Sequence, residues 1–331
     1  MRVAICADMV GVSGIDRYEQ CFPSWAGEYR HGVRMIVGDV RAAAEAAFAA
    51  GADEVVLADW HHLGRNLPTA AFPGLPVRRL WERGRPTIGP EALNRPDAAI
   101  FVGCHAGAGH PEGFLSHTVG MGMSVALDGE PLSEAGLWAL ALGGGGVPVA
   151  VISGDQRAME EAAASLPGIR AVGVKAGTSR TSAILRDPGD AREELAEAVA
   201  KSLVSPPEPV IHPFPATATI RFADPANARR AASRAVGELT GPRDVSARLG
   251  SVHDLMPFAF RGLLATRLGA SLRAVDRLQA QGRGAGARAR SAGVLALTGW
   301  AERRVVRAWA AEPAGLFPPV GGPSGPAPAP L

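Results

Sequence analysis

Ala98-Ala-Ile-Phe-Val-Gly-Cys-His-Ala-Gly-Ala-Gly-His-Pro-Glu-Gly-Phe-Leu-Ser-His117 is the stretch from which the rest of the chain can be read. An apolar run of strand length over 98–102 stops at Gly103 and delivers His105, and a glycine-rich loop then carries His110 and His117. A buried parallel strand hands polar groups to the rim of a sheet in this way. Three of the eight histidines fall within these residues. Imidazole is a frequent metal ligand and general base, so this rim is the first place to look for chemistry.

Three further segments repeat the pattern. The run over 3–7 ends at Asp8, with Gly11, Ser13 and Gly14 as loop punctuation. The run over 54–58 ends at Asp59, followed by His61 and His62, and the run over 147–153 ends at Gly154-Asp155. Helical spacing over 33–50 with Gly51 as C-cap, and a helix over 156–166 capped by Asp155, supply the crossovers. The fold class predicted is α/β, a mostly parallel sheet with flanking helices and a smaller α+β subdomain towards the C-terminus. Asp8, His61 and His105 then share one sheet edge.

Between the third and fourth strands, Asp128-Gly129 is a hairpin signal within 124–132, and Ser133 caps a helix that starts at Glu134. Residues 172–182 read as a strand and polar turn, and a helix follows over 191–203. The proline-rich segment 205–213 marks the best internal boundary. Beyond it, 216–222 alternates like a strand, Asp224-Pro225 opens a helix, and another follows Asp254. The predicted organisation is therefore an α/β domain over 1–205, a small α+β unit over 206–269, and an Arg-rich helical extension with a Pro/Ala/Gly tail over 270–331. Within that extension, 292–312 reads as an amphipathic helix with Trp300, Val305, Val306 and Trp309, docked on the body or on a neighbouring subunit. The last ten residues are expected to be disordered.

Composition narrows the function classes. The overall charge of +2 conceals a basic extension, eight arginines against Asp276, Glu302 and Glu312, and a mildly acidic body, which gives no reason to expect a nucleic-acid partner. No run approaches the roughly 20 apolar residues of a membrane span. Cys6, Cys21 and Cys104 form no CxxC pair and no even framework, which predicts a reduced, cytoplasmic protein. Neither a Gly-x-Ser-x-Gly elbow nor a dinucleotide fingerprint competes with the histidine rim.

The rim set Asp8, His61, His105 and Glu134, with His117 nearby, combines two carboxylates and two imidazoles. Those donor types hold zinc or a similar divalent ion and leave a position for water. Such an ion lowers the pKa of its water to about 7 and polarises a carbonyl, so the chemistry indicated is hydrolysis of an amide or ester. His117, outside the ligand set, is placed to move the proton or steady the tetrahedral intermediate.

Several motifs together resemble the DppA-like zinc D-aminopeptidases. They are Ala7-Asp-Met-Val-Gly-Val-Ser-Gly14, Asp59-Trp-His61, Val102-Gly-Cys-His-Ala106, Leu115-Ser-His117, Ser133-Glu-Ala-Gly-Leu137, Ile152-Ser-Gly-Asp155 and Val174-Lys-Ala-Gly-Thr-Ser-Arg180. Their order and spacing hold to about residue 268. The resemblance implies a metal-dependent hydrolase of short D-amino-acid peptides or amides, assembled as a ring-like homo-oligomer. It also implies a bridging role for Asp8, one zinc completed by His105, another by His61 and Glu134, and His117 as the catalytic residue. Lys175 and Arg180 stand in a matching motif, with two readings: an anchor for a substrate carboxylate, or an ion pair beneath the sheet.

One position departs. The family's Asp-x-Glu-Gly becomes Asp8-Met-Val10-Gly11, and valine cannot coordinate a metal. One zinc ion is therefore expected in preference to two, with His62, His110, Cys6 and Cys104 as the nearby donor types that could rebuild a second site. Trp60 replaces a small polar residue and would narrow the pocket if it points inward. Two other readings stand beside the hydrolase: a disarmed oligomeric binding or scaffold protein, and an enzyme hydrolysing or transferring an acyl group on a modified peptide.

Overall fold

The computed structural model describes residues 1–62, 64–80, 93–266, 269, 303–313 and 315–321. In chain order the elements are β1 (Arg2–Ala7), α1 (Ala26–Ala49), β2 (Glu54–Asp59), β3 (Val77–Leu80), β4 (Ala98–Cys104), β5 (Met123–Leu127) and β6 (Glu130–Leu132). They continue through α2 (Glu134–Gly143), β7 (Val149–Asp155), α3 (Gln156–Ser165), β8 (Arg170–Ser179), β9 (Ser182–Leu185) and α4 (Pro188–Val204). The remainder is β10 (Ala216–Phe222), α5 (Pro225–Ala232), β11 (Glu238–Leu239), β12 (Asp244–Leu249), α6 (Leu255–Ala265) and a last helix, α7, over 303–310.

A seven-stranded sheet in the order β3-β2-β1-β4-β7-β8-β9 forms the centre, parallel except for the antiparallel edge strand β9. Its inner strands are buried on both faces, which is why they read as unbroken apolar runs rather than alternating ones. On one face Val3, Ile5, Val55, Ile100 and Val151 pack with Ile36 and Val40 of α1 and Leu195 and Val199 of α4. On the other, Ala4, Phe101 and Ile152 join the residues of α2 and α6 and the inner face of a second sheet. That sheet is antiparallel, in the order β11-β12-β10-β5-β6.

The mixed α/β class follows the sequence reading, and the hairpin forms where Asp128-Gly129 predicts it, both residues having positive φ. The caps Ser133, Asp155 and Asp224 are where expected, each accepting a hydrogen bond from a first-turn backbone N–H; α4 starts earlier than the expected 191, behind an unforeseen Asp187 cap. The smaller sheet differs from the expected unit at 206–269, because it takes β5 and β6 from before the proline-rich linker. The alternating strand β10 needed a partner, and the earlier hairpin supplies one edge of it. Strands β3, β11 and β12 carried no legible signal; β3 is Val-Arg-Arg-Leu, a half-buried edge strand without an apolar run. The expected disorder over 322–331 and the first part of the amphipathic helix lie outside the described residues.

Candidate metal centre

Parallel strands β1, β2 and β4 all end on the same edge, and their ends are tied to one another. Asp8 N–H donates to the Val102 carbonyl and Trp60 N–H to the Ala7 carbonyl, 2.9 Å each. Gly103 (φ +83°) allows the closest of these approaches: a Cβ there would come within 1.9 Å of the Asp8 carbonyl oxygen. Gly11 lies as closely on the other side, its N–H bonded to the Gly103 carbonyl at 2.9 Å. The two glycines let the turn after β1 rest on the turn after β4, bringing Asp8 beside His105.

His61 is held by its neighbours before any ligand is considered. The carboxylate of Asp59 accepts from the backbone N–H groups of Asn66 and Leu67, from Asn66 Nδ2 at 2.8 Å, and from His61 N–H at 3.3 Å. His61 Nε2 lies 2.7 Å from the Cys21 carbonyl oxygen, which can only accept, so this nitrogen carries hydrogen. Nδ1 then faces Asp8 Oδ1 at 3.2 Å. In the neutral ring, two lone pairs would confront each other, and the pair is stable only with a proton or a cation between them. Burial works to lower the His61 pKa, but the Asp8 carboxylate outweighs it and raises it to about 8. Burial likewise pushes Asp8 up, yet His61, His105 and the Val10 N–H hold its carboxyl well below the usual range.

The second half of the site repeats this geometry. His105 Nδ1 lies 3.0 Å from the Ala106 carbonyl and His117 Nδ1 2.7 Å from the Leu115 carbonyl, so both rings present a bare Nε2. The rings stack, centroids 4.1 Å apart and 11° from parallel. Both Nε2 atoms point to Glu134 Oε1, at 3.7 Å from His105 and 3.4 Å from His117. Glu134 opens α2 behind the Ser133 cap and accepts from Val119 N–H at 2.7 Å. Donor atoms of His105, His117 and Glu134 all lie within 4.8 Å of one another. His105 Nε2 is buried with no hydrogen-bond partner among the described residues. Burial raises the Glu134 pKa, and burial with the neighbouring His105 lowers that of His117 to about 3. Among the described residues, Asp8 and His61 pair with each other and stand outside that three-donor cluster.

These residues fit a metal ion. The donors of His105, His117 and Glu134 converge with one buried nitrogen unpartnered, and the Asp8–His61 pair likewise sets a lone pair against a carboxylate; both arrangements suit a cation.

The other singled-out residues are engaged within the chain. Val10 is 2% exposed and packed in the apolar cluster beneath the sheet. Lys175, equally buried, donates from Nζ to the carbonyls of Val10 at 2.5 Å and Ile15 at 2.9 Å, and lies 4.6 Å from the Phe114 ring. Its ammonium thus pins the turn after β1. Arg180 pairs with Glu312 at 3.0 Å. Trp60 stacks on Trp138 of α2, centroids 3.7 Å apart, and belongs to the core. His110 Nδ1 accepts from Gly113 N–H at 3.0 Å, organising its own loop. Burial pushes the thiols of Cys6 and Cys104 well above their ordinary range. Asp59 and the Cys21 carbonyl were not legible as part of the site. The Asp-Trp-His spacing was the available signal for Asp59, whereas a backbone carbonyl leaves no mark in a sequence.

A family model described as D-aminopeptidase matches residues 1–259, more than half of the chain. The chain belongs to the D-aminopeptidase family. This is a class of hydrolases. A curated relative, the D-aminopeptidase of Bacillus subtilis, is 28% identical over 228 residues, covering 64% of this chain and 80% of its own. Among solved structures, the "Zn-dependent D-aminopeptidase DppA from Bacillus subtilis, a self-compartmentalizing protease" aligns with a TM-score of 0.74 at 25% identity. It covers 81% of this chain and 98% of that one. This D-aminopeptidase family member therefore shares its fold with a zinc-dependent peptidase along nearly the whole of that protein.

Proposed function

We propose that the chain is a zinc-dependent aminopeptidase that hydrolyses an amide bond in a short peptide or amino-acid derivative of D configuration. Asp8, His61, His105 and Glu134 would hold the ion. The observation that carries this reading is the meeting of bare lone pairs at the strand ends, the unpartnered His105 Nε2 above all. The zinc dependence of the structural relative supports the choice of metal. Once bound, zinc polarises a carbonyl and acidifies water.

The chain's own groups supply the rest. The Leu115 carbonyl locks the His117 tautomer, leaving Nε2 free to accept a proton 3.4 Å from Glu134. Burial lowers the His117 pKa to about 3, so the ring is neutral through the physiological range and its Nε2 keeps a lone pair. Val10 contributes no donor, which favours one ion over two. The donors that remain at the strand ends favour a hydrolase over a disarmed scaffold. A homo-oligomer in the cytoplasm is proposed on the relative's self-compartmentalizing description and the cysteine usage, and sedimentation at the monomer mass of 34.2 kDa would count against it.

Metal analysis with kinetics on D-amino-acid amides tests the proposal. His61→Ala should lose zinc and lower kcat/KM by more than about 100-fold. His117→Ala should lose turnover and keep zinc. The three-donor cluster favours a second reading, in which His117 replaces the missing carboxylate as a ligand; His117→Ala would then lose the metal as well. Full activity in both variants would refute the site.

A further inference from the structure

The family match ends at residue 259, yet residues 303–313 and 315–321 fold back onto the loop that carries His117. Trp309 of α7 is 2% exposed, and its indole Nε1 donates to the Ser116 carbonyl at 3.1 Å. The Arg180 guanidinium lies over the same ring, 4.1 Å from its centroid, and pairs with Glu312. Arg180's own carbonyl accepts from Leu115 N–H at 2.8 Å. The carbonyl of Leu115 is the group that fixes His117 Nδ1. Further along, Phe317 and Val320 are buried against the start of the loop. A Cβ on Gly109 would meet the Phe317 carbonyl at 2.4 Å, and one on Gly107 would meet the Val320 side chain at 2.6 Å.

Leu115 is held at φ +49°, a left-handed conformation that a branched side chain avoids unless its surroundings impose it. Part of what imposes it belongs to the extension: the indole on the next carbonyl, and the Trp309–Glu312 pair that steadies Arg180. We propose that residues 303–313 and 315–321 are part of the active-site frame and that Trp309 and Glu312 are positioning residues for His117. This rests on the function proposed above. It also gives Arg180 a place in the site: its charge serves the extension, and through its carbonyl it braces the His117 turn.

The test uses the full-length, zinc-loaded protein with Trp309→Phe, which keeps a ring and deletes the donor, and Glu312→Gln, which keeps the size and deletes the charge. Hydrogen exchange over 107–122, zinc content, kcat and KM are measured together. Both variants should exchange at least about threefold faster in that segment. They should lose about tenfold in kcat, with KM within about twofold and zinc content as in the wild type. Glu312→Asp should recover part of the rate. Wild-type exchange in both variants overturns the proposal, and so does faster exchange with unchanged kcat. Should Trp309→Phe fail to fold, Glu312→Gln decides alone. Absence of turnover in the wild type refutes the proposed function by itself, and the exchange measurement then decides the frame.

Discussion

At the scale of single residues, the site is a set of partners chosen so that one nitrogen of each imidazole is used up. Carbonyls of Cys21, Ala106 and Leu115 take the hydrogens of His61, His105 and His117, and each remaining nitrogen faces a carboxylate. The ligand-type side chains were legible in the sequence because they follow apolar runs at fixed offsets. Their carbonyl partners were not, since any residue type offers a carbonyl and only the fold selects which one arrives. Val10 is the residue whose consequence is sharpest. Its side chain is buried among apolar neighbours, so Val10→Glu in metal-free protein should be destabilising, an unpaired carboxylate having been put where water does not reach. Added zinc should reverse this and raise the metal content from about one ion per chain to about two, measured by elemental analysis with thermal melts. An unchanged stoichiometry would show that no second site forms there.

At the scale of elements, α2 and α3 hold the two halves of the loop system. Helix α2 is buried on every side, which suits its place between the sheets, and it aims Glu134 from its first turn. Trp60, one residue before a site histidine, stacks on Trp138 of the same helix. Trp60→Ala should cost about 3 kcal/mol in urea unfolding, and it should weaken zinc binding by loosening both His61 and Glu134. The helix and its cap could be read from sequence; the tryptophan pair could not, because the two residues lie far apart in the chain.

Helix α3 carries Glu161, 3% exposed, which accepts from Gly107 N–H at 2.8 Å. Burial is the largest influence on it, opposed by that hydrogen bond and reinforced by Asp155 and Glu160, and its pKa rises from 4.5 to about 8. A raised folded-state pKa means that its stabilising contribution is complete below the ordinary value and is lost as pH climbs through about 8. The wild type should therefore lose stability between those two values. Glu161→Gln should flatten that dependence and be the more stable protein at pH 8 by a few kcal/mol, as followed by melts across the range.

At the scale of the whole molecule, the proposed ligands come from the ends of β1, β2 and β4 and from the start of α2, so one ion would tie four segments widely spaced in the chain. Chelation should lower the melting temperature. Restoring zinc at about 100 times its dissociation constant should return about 2.7 kcal/mol of stability, and magnesium should not substitute. A melt insensitive to chelator would deny the ion any part in holding these segments. The sequence by itself determined the fold class, most of the helices with their caps, the strand-terminal placement of Asp8, His61 and His105, and the absence of a carboxylate at position 10. These are local matters, set by apolar runs, periodicity and turn chemistry within a few residues. Only the tertiary structure decided that the hairpin completes the second sheet, that His105 and His117 stack over Glu134, that Lys175 serves the Val10 turn, and that Trp309 reaches the His117 loop. Each of those depends on contacts between residues distant in sequence, where close packing and the need to partner every buried polar atom select one neighbour among many that local propensity allows.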